Sequence, residues 1–295
     1  MIIAVLIVLG LCFGSFVNAL AWRLHEKEEL TDKLETLKAK KQTKAVAAEI
    51  NNVSTQIKDR SISTGRSMCT DCNHSLAWYD LVPVISWVSV GGKCRYCSNP
   101  ISWQYPLVEI LTAVLLIMSY LYWPQALHGQ GVFDLIVWLV VVVAFMALSI
   151  YDFRWMILPN VIVYPLIGLT LFQRLADTLL FKDSAKHLLA SLVAALIGGG
   201  IFYVLYQLSG GNWIGGGDVK IGFALGLLVG APLQALLLLM LASIIGLFFA
   251  LPAAFKHVFK RNLQVPFGPC LMIACLLLVL FGTNIVHWYL NLVLS

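Results

Sequence analysis

Apolar residues fall in long unbroken blocks along this 295-residue chain rather than in the alternation of a half-buried strand. Eight blocks, at 2–22, 105–123, 132–151, 158–175, 187–208, 219–229, 233–255 and 265–281, read as helices for a hydrocarbon core about 30 Å thick, which takes about 20 residues to cross. The block at 219–229 is short: it either begins inside the glycine-rich loop before it or continues across Gly230-Ala231-Pro232. The first block lacks a basic flank and a small-x-small cleavage signal, so it reads as a retained span and not as a removable signal peptide.

Between the first two blocks the pattern changes twice. Over 26–60 it is charged, with Leu30, Leu34 and Leu37, then Val46, Ile50, Val53 and Ile57, at helical steps. The two apolar series are out of phase, with Lys40, Lys41 and Lys44 between them, which predicts a helical hairpin. Over 67–103 the residues become cysteine, glycine, aromatic and turn-forming. The expected architecture is an all-α polytopic membrane protein of about eight transmembrane helices, with a small cytoplasmic zinc-ribbon-like module inserted between the first two spans. Its parts are a first helix at 1–22, an insertion at 23–104 and a bundle at 105–295.

Composition agrees: 60% of residues are hydrophobic, 12% are charged and the mean hydropathy is +0.85, against about 25% charged in soluble domains. Charge then sets orientation. The insertion holds twelve of the 20 Lys and Arg residues, and cytoplasmic loops carry the positive excess. Placing it inside puts Arg154, Lys220, Lys256, Lys260 and Arg261 on the same side and only Arg174, Lys182 and Lys186 outside. The N-terminus is then outside, and the net charge of +5 follows from topology. There is no basic stripe with interleaved aromatics, so no nucleic-acid partner is expected.

Cys69-x-x-Cys72 and Cys94-x-x-Cys97, twenty-one residues apart, can each present two thiolates and together complete a tetrahedral zinc site. Two disulfides are the alternative, disfavoured in a reducing cytosol. Four protein ligands leave no open position, so the ion's expected role is structural, as a staple for a segment too short to fold on its own core.

Two acids stand at helix ends on the same expected face: Asp152 in Tyr151-Asp152-Phe153-Arg154, and Asp218 in Gly215-Gly216-Gly217-Asp218-Val219-Lys220. Acids beside a bilayer are costly and signal function. Taken singly, each is also explained as a helix-end residue paired with Arg154 or Lys220. Taken together they can share one proton and activate water. Other hydrolase classes fail, because His25-Glu26 lacks the second histidine of a zinc protease helix and there is no Gly-x-Ser-x-Gly elbow or Walker loop.

Gly14-x-Phe16-x-Asn18 with Arg23-Leu24, both Cys-x-x-Cys pairs, Pro83-Val84-Ile85-Ser86-Trp87, Tyr105-Pro106-Leu107-Val108-Glu109, Asp152-x-Arg154 with Leu158-Pro159, the glycine-Asp218 motif and Pro266-Phe267-Gly268-Pro269 occur in order. In this the chain resembles the type IV prepilin peptidases, bacterial inner-membrane aspartyl proteases of the Gly-x-Gly-Asp group. His25 and Cys270 depart from the family pattern. The resemblance implies Asp152 and Asp218 as the catalytic pair and prepilins or pseudopilins, of pilus or type II secretion systems, as substrates. It implies cleavage of a basic leader at the cytoplasmic face, and many members also methylate the new N-terminus from S-adenosylmethionine. Substrate contacts are expected at Glu109, Gly216, Gly217, Lys220 and Gly268. Glu109 reads equally as an interfacial acid, and Gly14 with Asn18 as a close helix contact. A proton-coupled transporter also uses paired acids, but near the midplane. A zinc-ribbon adaptor would leave both aspartates without a role.

Overall fold

The computed structural model describes residues 1–40, 44–61, 65–181, 183–256 and 266–294, with side chains described except at 252–256, 283, 286–290 and 292–294. Lys41, Lys182, Lys260, Arg261 and Val265 lie outside the described residues, as does the side chain of Lys256. The described residues are helical apart from loops and two isolated bridges. Two compact units divide the chain, Met1–Ile117 and Met118–Ser295.

In the first unit, α1 (Ile2–Ala39) is one unbroken helix of 38 residues, about 57 Å long at 1.5 Å per residue. Its apolar half is long enough to span a bilayer, and its charged half runs on and pairs with α2 (Lys44–Asp59). The expected hairpin is therefore present, but its first arm continues the first span without a break. Leu37 and Val53 are buried. Lys33 Nζ meets Glu49 Oε1 at 3.1 Å, Arg60 Nη2 meets Glu26 Oε1 at 3.1 Å, and Arg60 also lies over the Trp22 ring. A 3-10 turn (Trp78–Leu81) and the short α3 (Ile85–Ser89) precede α4 (Gln104–Leu121).

α1 and α4 meet through glycine. A Cβ on Gly14 would lie 2.5 Å from Glu109 Cα, so only glycine permits this approach. Asn18 Nδ2 donates to the Gly14 and Tyr105 carbonyls at 3.3 and 3.2 Å, and Asn18 Oδ1 accepts from Gln104 Nε2 at 3.4 Å. The close helix contact is what this pair provides.

The second unit contains α5 (Gln130–Trp155), α6 (Asn160–Leu180), α7 (Ala185–Ser209), α8 (Gly216–Val229), α9 (Pro232–Lys256) and α10 (Gly268–Leu294). Among the described residues, α1, α4, α5, α7 and α9 are long and apolar enough to cross a membrane, and Gly268–Gly282 of α10 is a shorter apolar helix. α8 starts inside the glycine loop, at Gly216, and Gly230 ends it in the left-handed region at φ 75. At 14 residues it spans only about 21 Å, so its ends need partners within the protein. Arg174 supplies them at the C-terminal end, with Nε donating to the Leu227 carbonyl at 2.8 Å and Nη2 to that of Leu228 at 2.6 Å.

The body of α8 packs on α7, α6 and α10. On the α7 side the seam is almost bare backbone: a Cβ on Gly222 would lie 2.7 Å from the Gly198 carbonyl oxygen, and one on Gly226 would lie 2.5 Å from Ala195 Cα. Small residues give this close approach in membranes, where van der Waals packing rather than water exclusion holds helices together.

Candidate functional site

The cysteines form one centre within the first unit. Each Cys-x-x-Cys is a tight turn followed by a residue with positive φ, Asn73 at 56 and Ser98 at 61. The turns repeat the same bonds: Asn73 N–H to the Cys69 carbonyl at 3.0 Å and Ser98 N–H to that of Cys94 at 2.9 Å. A short antiparallel bridge closes each, Met68 with Ser75 and Lys93 with Pro100. The duplicated turns bring the Sγ atoms of Cys69, Cys72, Cys94 and Cys97 within 4.8 Å of one another.

None of the seven cysteines is in a disulfide. The amides of Cys97 and Tyr96 favour the Cys94 thiolate and lower its pKa. For Cys97 the Asn99 amide acts the same way, but burial and the neighbouring sulfurs outweigh it and raise the pKa. A cation held by all four sulfurs relieves that mutual repulsion, so the donor set fits a metal ion. Around it, Asp80 accepts from the Ala77 amide, Arg95 Nε at 3.0 Å and the Tyr96 hydroxyl at 2.9 Å, while His74 stacks on Tyr96 at 3.8 Å and offers no needed ligand.

Glu109 lies in this unit, not in the one that holds the aspartates. It is buried, and its Oε2 accepts the Val84 amide at 2.7 Å. Val84 has φ 59, a costly conformation for a β-branched residue. Glu109 thus holds a strained turn at the start of α3.

Asp152 and Asp218 come together in the second unit. Asp152 ends α5, where its carbonyl accepts the amide of the left-handed Met156 at 2.8 Å. Its carboxylate is buried, 6% exposed, and Oδ2 accepts the Gly268 amide at the start of α10 at 3.1 Å. Asp218 sits in the first turn of α8, half-buried, with its amide on the Gly215 carbonyl at 3.1 Å. The two carboxylates are near enough to interact electrostatically, and Cys270 lies close to both.

Leu158 wedges between the supporting glycines. A Cβ on Gly217 would lie 2.9 Å from Leu158 Cβ, and one on Gly268 would lie 3.5 Å from Leu158 Cδ2 and 2.7 Å from Asp152 Oδ2. Gly217 is therefore required by Leu158, whereas Gly216 faces only Tyr206, at 3.8 Å. The flanking cations turn elsewhere: Lys220 Nζ donates to Asn160 Oδ1 at 2.8 Å and lies over Tyr164, and Arg154 lies over Trp155. Among the described residues neither aspartate is in an ion pair, so the helix-end reading of two simple salt bridges fails.

Sequence reasoning missed the seam of Gly222, Gly226, Ala194 and Gly198, although Gly-x-x-x-Gly at 222–226 is legible. It also passed over Asp134 and Asp177, buried acids that the rule used for Asp152 and Asp218 would have flagged.

Fold and sites together define a helical membrane protein carrying a four-thiol centre and a pair of carboxylates, one buried and one half-buried. Residues 8–123 match the Bacterial Peptidase A24 N-terminal domain, and residues 139–251 match the Type IV leader peptidase family. The chain is 33% identical to the prepilin leader peptidase/N-methyltransferase of Aeromonas hydrophila over 230 residues, 77% of this chain and 75% of the relative. It is 30% identical to the type 4 prepilin-like proteins leader peptide-processing enzyme of Escherichia coli O78:H11, over 89% of this chain and 87% of the relative. A Pseudomonas aeruginosa prepilin leader peptidase/N-methyltransferase is 29% identical over 97% and 92%. No solved structure matches the chain. The chain belongs to the type IV leader peptidase family.

Proposed function

We propose that this protein cleaves the basic leader from type IV prepilins or pseudopilins by an aspartyl protease mechanism, with Asp152 and Asp218 as its catalytic pair. The observation that carries the reading is the buried Asp152 carboxylate, fixed by the Gly268 amide at 3.1 Å and within electrostatic reach of the Asp218 carboxylate, with neither acid in an ion pair among the described residues. Two such acids share one proton. The ionised member takes a proton from water as the water oxygen attacks the scissile carbonyl carbon. The protonated member gives its proton to the carbonyl oxygen. Collapse of the tetrahedral species then breaks the C–N bond: the amine leaving group takes the pair's proton, and a hydroxyl of the tetrahedral species gives its own proton to the other carboxylate as the carbonyl re-forms, so the pair is again singly protonated.

In this reading eight helices cross the bacterial inner membrane, α6, α8 and α10 completing the set, with the N-terminus outside and the acid pair at the cytoplasmic face. The insertion at 23–104 divides into the charged hairpin at 26–60 and the cysteine module at 67–103, and residues 105–295 form the peptidase bundle. Cys69, Cys72, Cys94 and Cys97 would hold Zn2+, which supplies a structural cross-link. Gly216, Gly217 and Gly268 leave room for an extended substrate beside the acids. Lys220, bonded to Asn160, orients the start of α8, and Glu109 acts through the Val84 turn. N-methylation of the new terminus from S-adenosylmethionine belongs to the same proposal, as the relatives' names include it. The transporter alternative is not supported, since both acids stand at helix ends.

Purified protein incubated with a prepilin, with and without S-adenosylmethionine, should give a product shortened by the leader and then heavier by one methyl group. Asp152→Asn and Asp218→Asn should each lower cleavage by on the order of 10³-fold or more while the protein remains folded. Substantial cleavage by either variant removes that residue from the mechanism.

A further inference from the structure

The segment between the thiol centre and α4 presents large apolar side chains that the protein does not cover. Trp78, Ile85, Val88 and Trp103 are each 65–79% exposed. Ile85 and Val88, three apart on the single turn of α3, share one face. Lone apolar residues are ordinary on a water-facing surface, but a cluster held together by one piece of fold marks a contact. Trp87 makes it one piece. Its ring stacks on Trp103 with centroids 4.1 Å apart, and its Nε1 donates to the Ile101 carbonyl at 3.2 Å. The Ile101 amide in turn donates to the Gly92 carbonyl at 2.7 Å, and the 3-10 turn that carries Trp78 packs against α3.

The depth of this cluster follows from α4. That helix has 18 residues, about 27 Å at 1.5 Å per residue, against a hydrocarbon core about 30 Å thick. Gln104, its first residue, therefore stands at the edge of the core, with Trp103 just outside. Glu109 lies five positions further in, about 7.5 Å along the axis. Side chains on a helix lean back toward its N-terminus, and from there Glu109 Oε2 accepts the Val84 amide at 2.7 Å. The start of α3 is pinned by this bond to the level of the first turns of α4. It cannot rise toward water without releasing the contact that holds Val84 at φ 59.

Below that level the exposed surface of α4 continues as Leu107, Ile110, Leu111 and Val114, a stripe at three- and four-residue steps. The patch on α3 is thus continuous with a surface made for lipid. Tryptophan also favours the headgroup level, where an apolar ring meets a wet boundary. We propose that α3, with Trp78 and Trp103 beside it, seats the cysteine module on the phospholipid interface, Ile85 and Val88 entering among the headgroups. The occupant of the patch is the bilayer that α4 crosses. This seating is independent of the roles given to Asp152 and Asp218.

The test uses the full-length protein with its thiol centre loaded, in nanodiscs of phosphatidylethanolamine and phosphatidylglycerol. A benzophenone amino acid replaces Ile85, Val88 or Glu35, one at a time, and irradiation is followed by peptide mass. Glu35 is the exposed control, about 25 Å along α1 from Asn18, whose Nδ2 meets the Tyr105 carbonyl at the core edge. Thermal melts confirm that each variant is folded, as expected for replacement of exposed side chains. The expected result is peptides heavier by one phospholipid at Ile85 and Val88, in at least fivefold higher yield than at Glu35. Yields at both positions no higher than at Glu35 overturn the proposal. Cross-links from Ile85 and Val88 to residues 118–295 in place of lipid overturn it too, and would make the patch an internal contact of the chain.

Discussion

Replacing Gly268 by alanine separates the geometry of the acid pair from the stability of the fold. The new methyl carbon would lie 2.7 Å from Asp152 Oδ2, and the next neighbour is Leu158 Cδ2 at 3.5 Å. The atom that must give way is the end of a side chain, so the backbone stays and the carboxylate withdraws by roughly 0.7 Å or more to reach ordinary contact. The amide bond, now 3.1 Å, then stretches past useful range. Loss of a hydrogen bond to a charged group costs about 1.5–3 kcal/mol, which at about 1.36 kcal/mol per decade is roughly a 10- to 150-fold fall in kcat/KM. A displacement of about 1 Å in a reacting group independently costs about 10²-fold. The assay is leader removal from a prepilin, followed by mass, beside a thermal melt. Gly200→Ala is the control, since its methyl meets nothing within 4 Å; it should cleave normally and change stability by no more than about 1 kcal/mol. If Gly268→Ala cleaves within twofold of the unsubstituted enzyme, the Gly268 contact does not position the reacting carboxylate.

The glycine seam should respond in the opposite way: Gly226→Val drives side-chain atoms into α7 backbone and should destabilise the bundle by about 3 kcal/mol, read as a lowered melting midpoint and folded yield; an unchanged midpoint refutes the close contact. One zinc ion per chain should co-purify and be lost in Cys72→Ser, with new protease cuts appearing within 67–103, because metal binding and folding of so small a module are coupled; metal retained at full stoichiometry would place it elsewhere. Replacing 28–58 by a short Gly/Ser bridge removes the Lys33–Glu49 pair but should leave cleavage within a few-fold of normal. If the shortened protein folds, binds zinc and cannot cut, the hairpin belongs to the active site.

What was legible in the sequence followed from the physics that acts along the chain. A bilayer demands continuous apolar helix, so hydropathy locates the apolar helices, and Cys-x-x-Cys spacing by itself marks the thiol centre. Asp152 and Asp218 stood out as expensive acids, yet nothing local said that Gly268 would hold one of them. Gly268 lies more than a hundred residues from Asp152, and its bond depends on how α10 meets α5. Leu158 was visible only as part of a motif; its work of setting Gly217 and Gly268 apart is a matter of packing. The destinations of Lys220 and Arg154 were equally hidden, because a cation next to an acid in sequence can turn to Asn160 or Trp155 in space. Asp134 and Asp177 were readable by the same rule as the other acids. They carry no motif that sets them apart.

The unbroken course of α1 imposes a rotational phase on everything it carries. Its charged half inherits the angular setting of its apolar half, so the hairpin's direction is fixed by residues inside the membrane. One inserted residue between Glu26 and Lys33 would turn the distal arm by about 100° and set the Arg60–Glu26 tie against the Lys33–Glu49 tie. Seven inserted residues would fall only about 20° short of two full turns, lifting the hairpin tip outward while keeping its bearing. Length in this arm can therefore vary in near-whole turns, whereas single-residue changes must break one tie or the other.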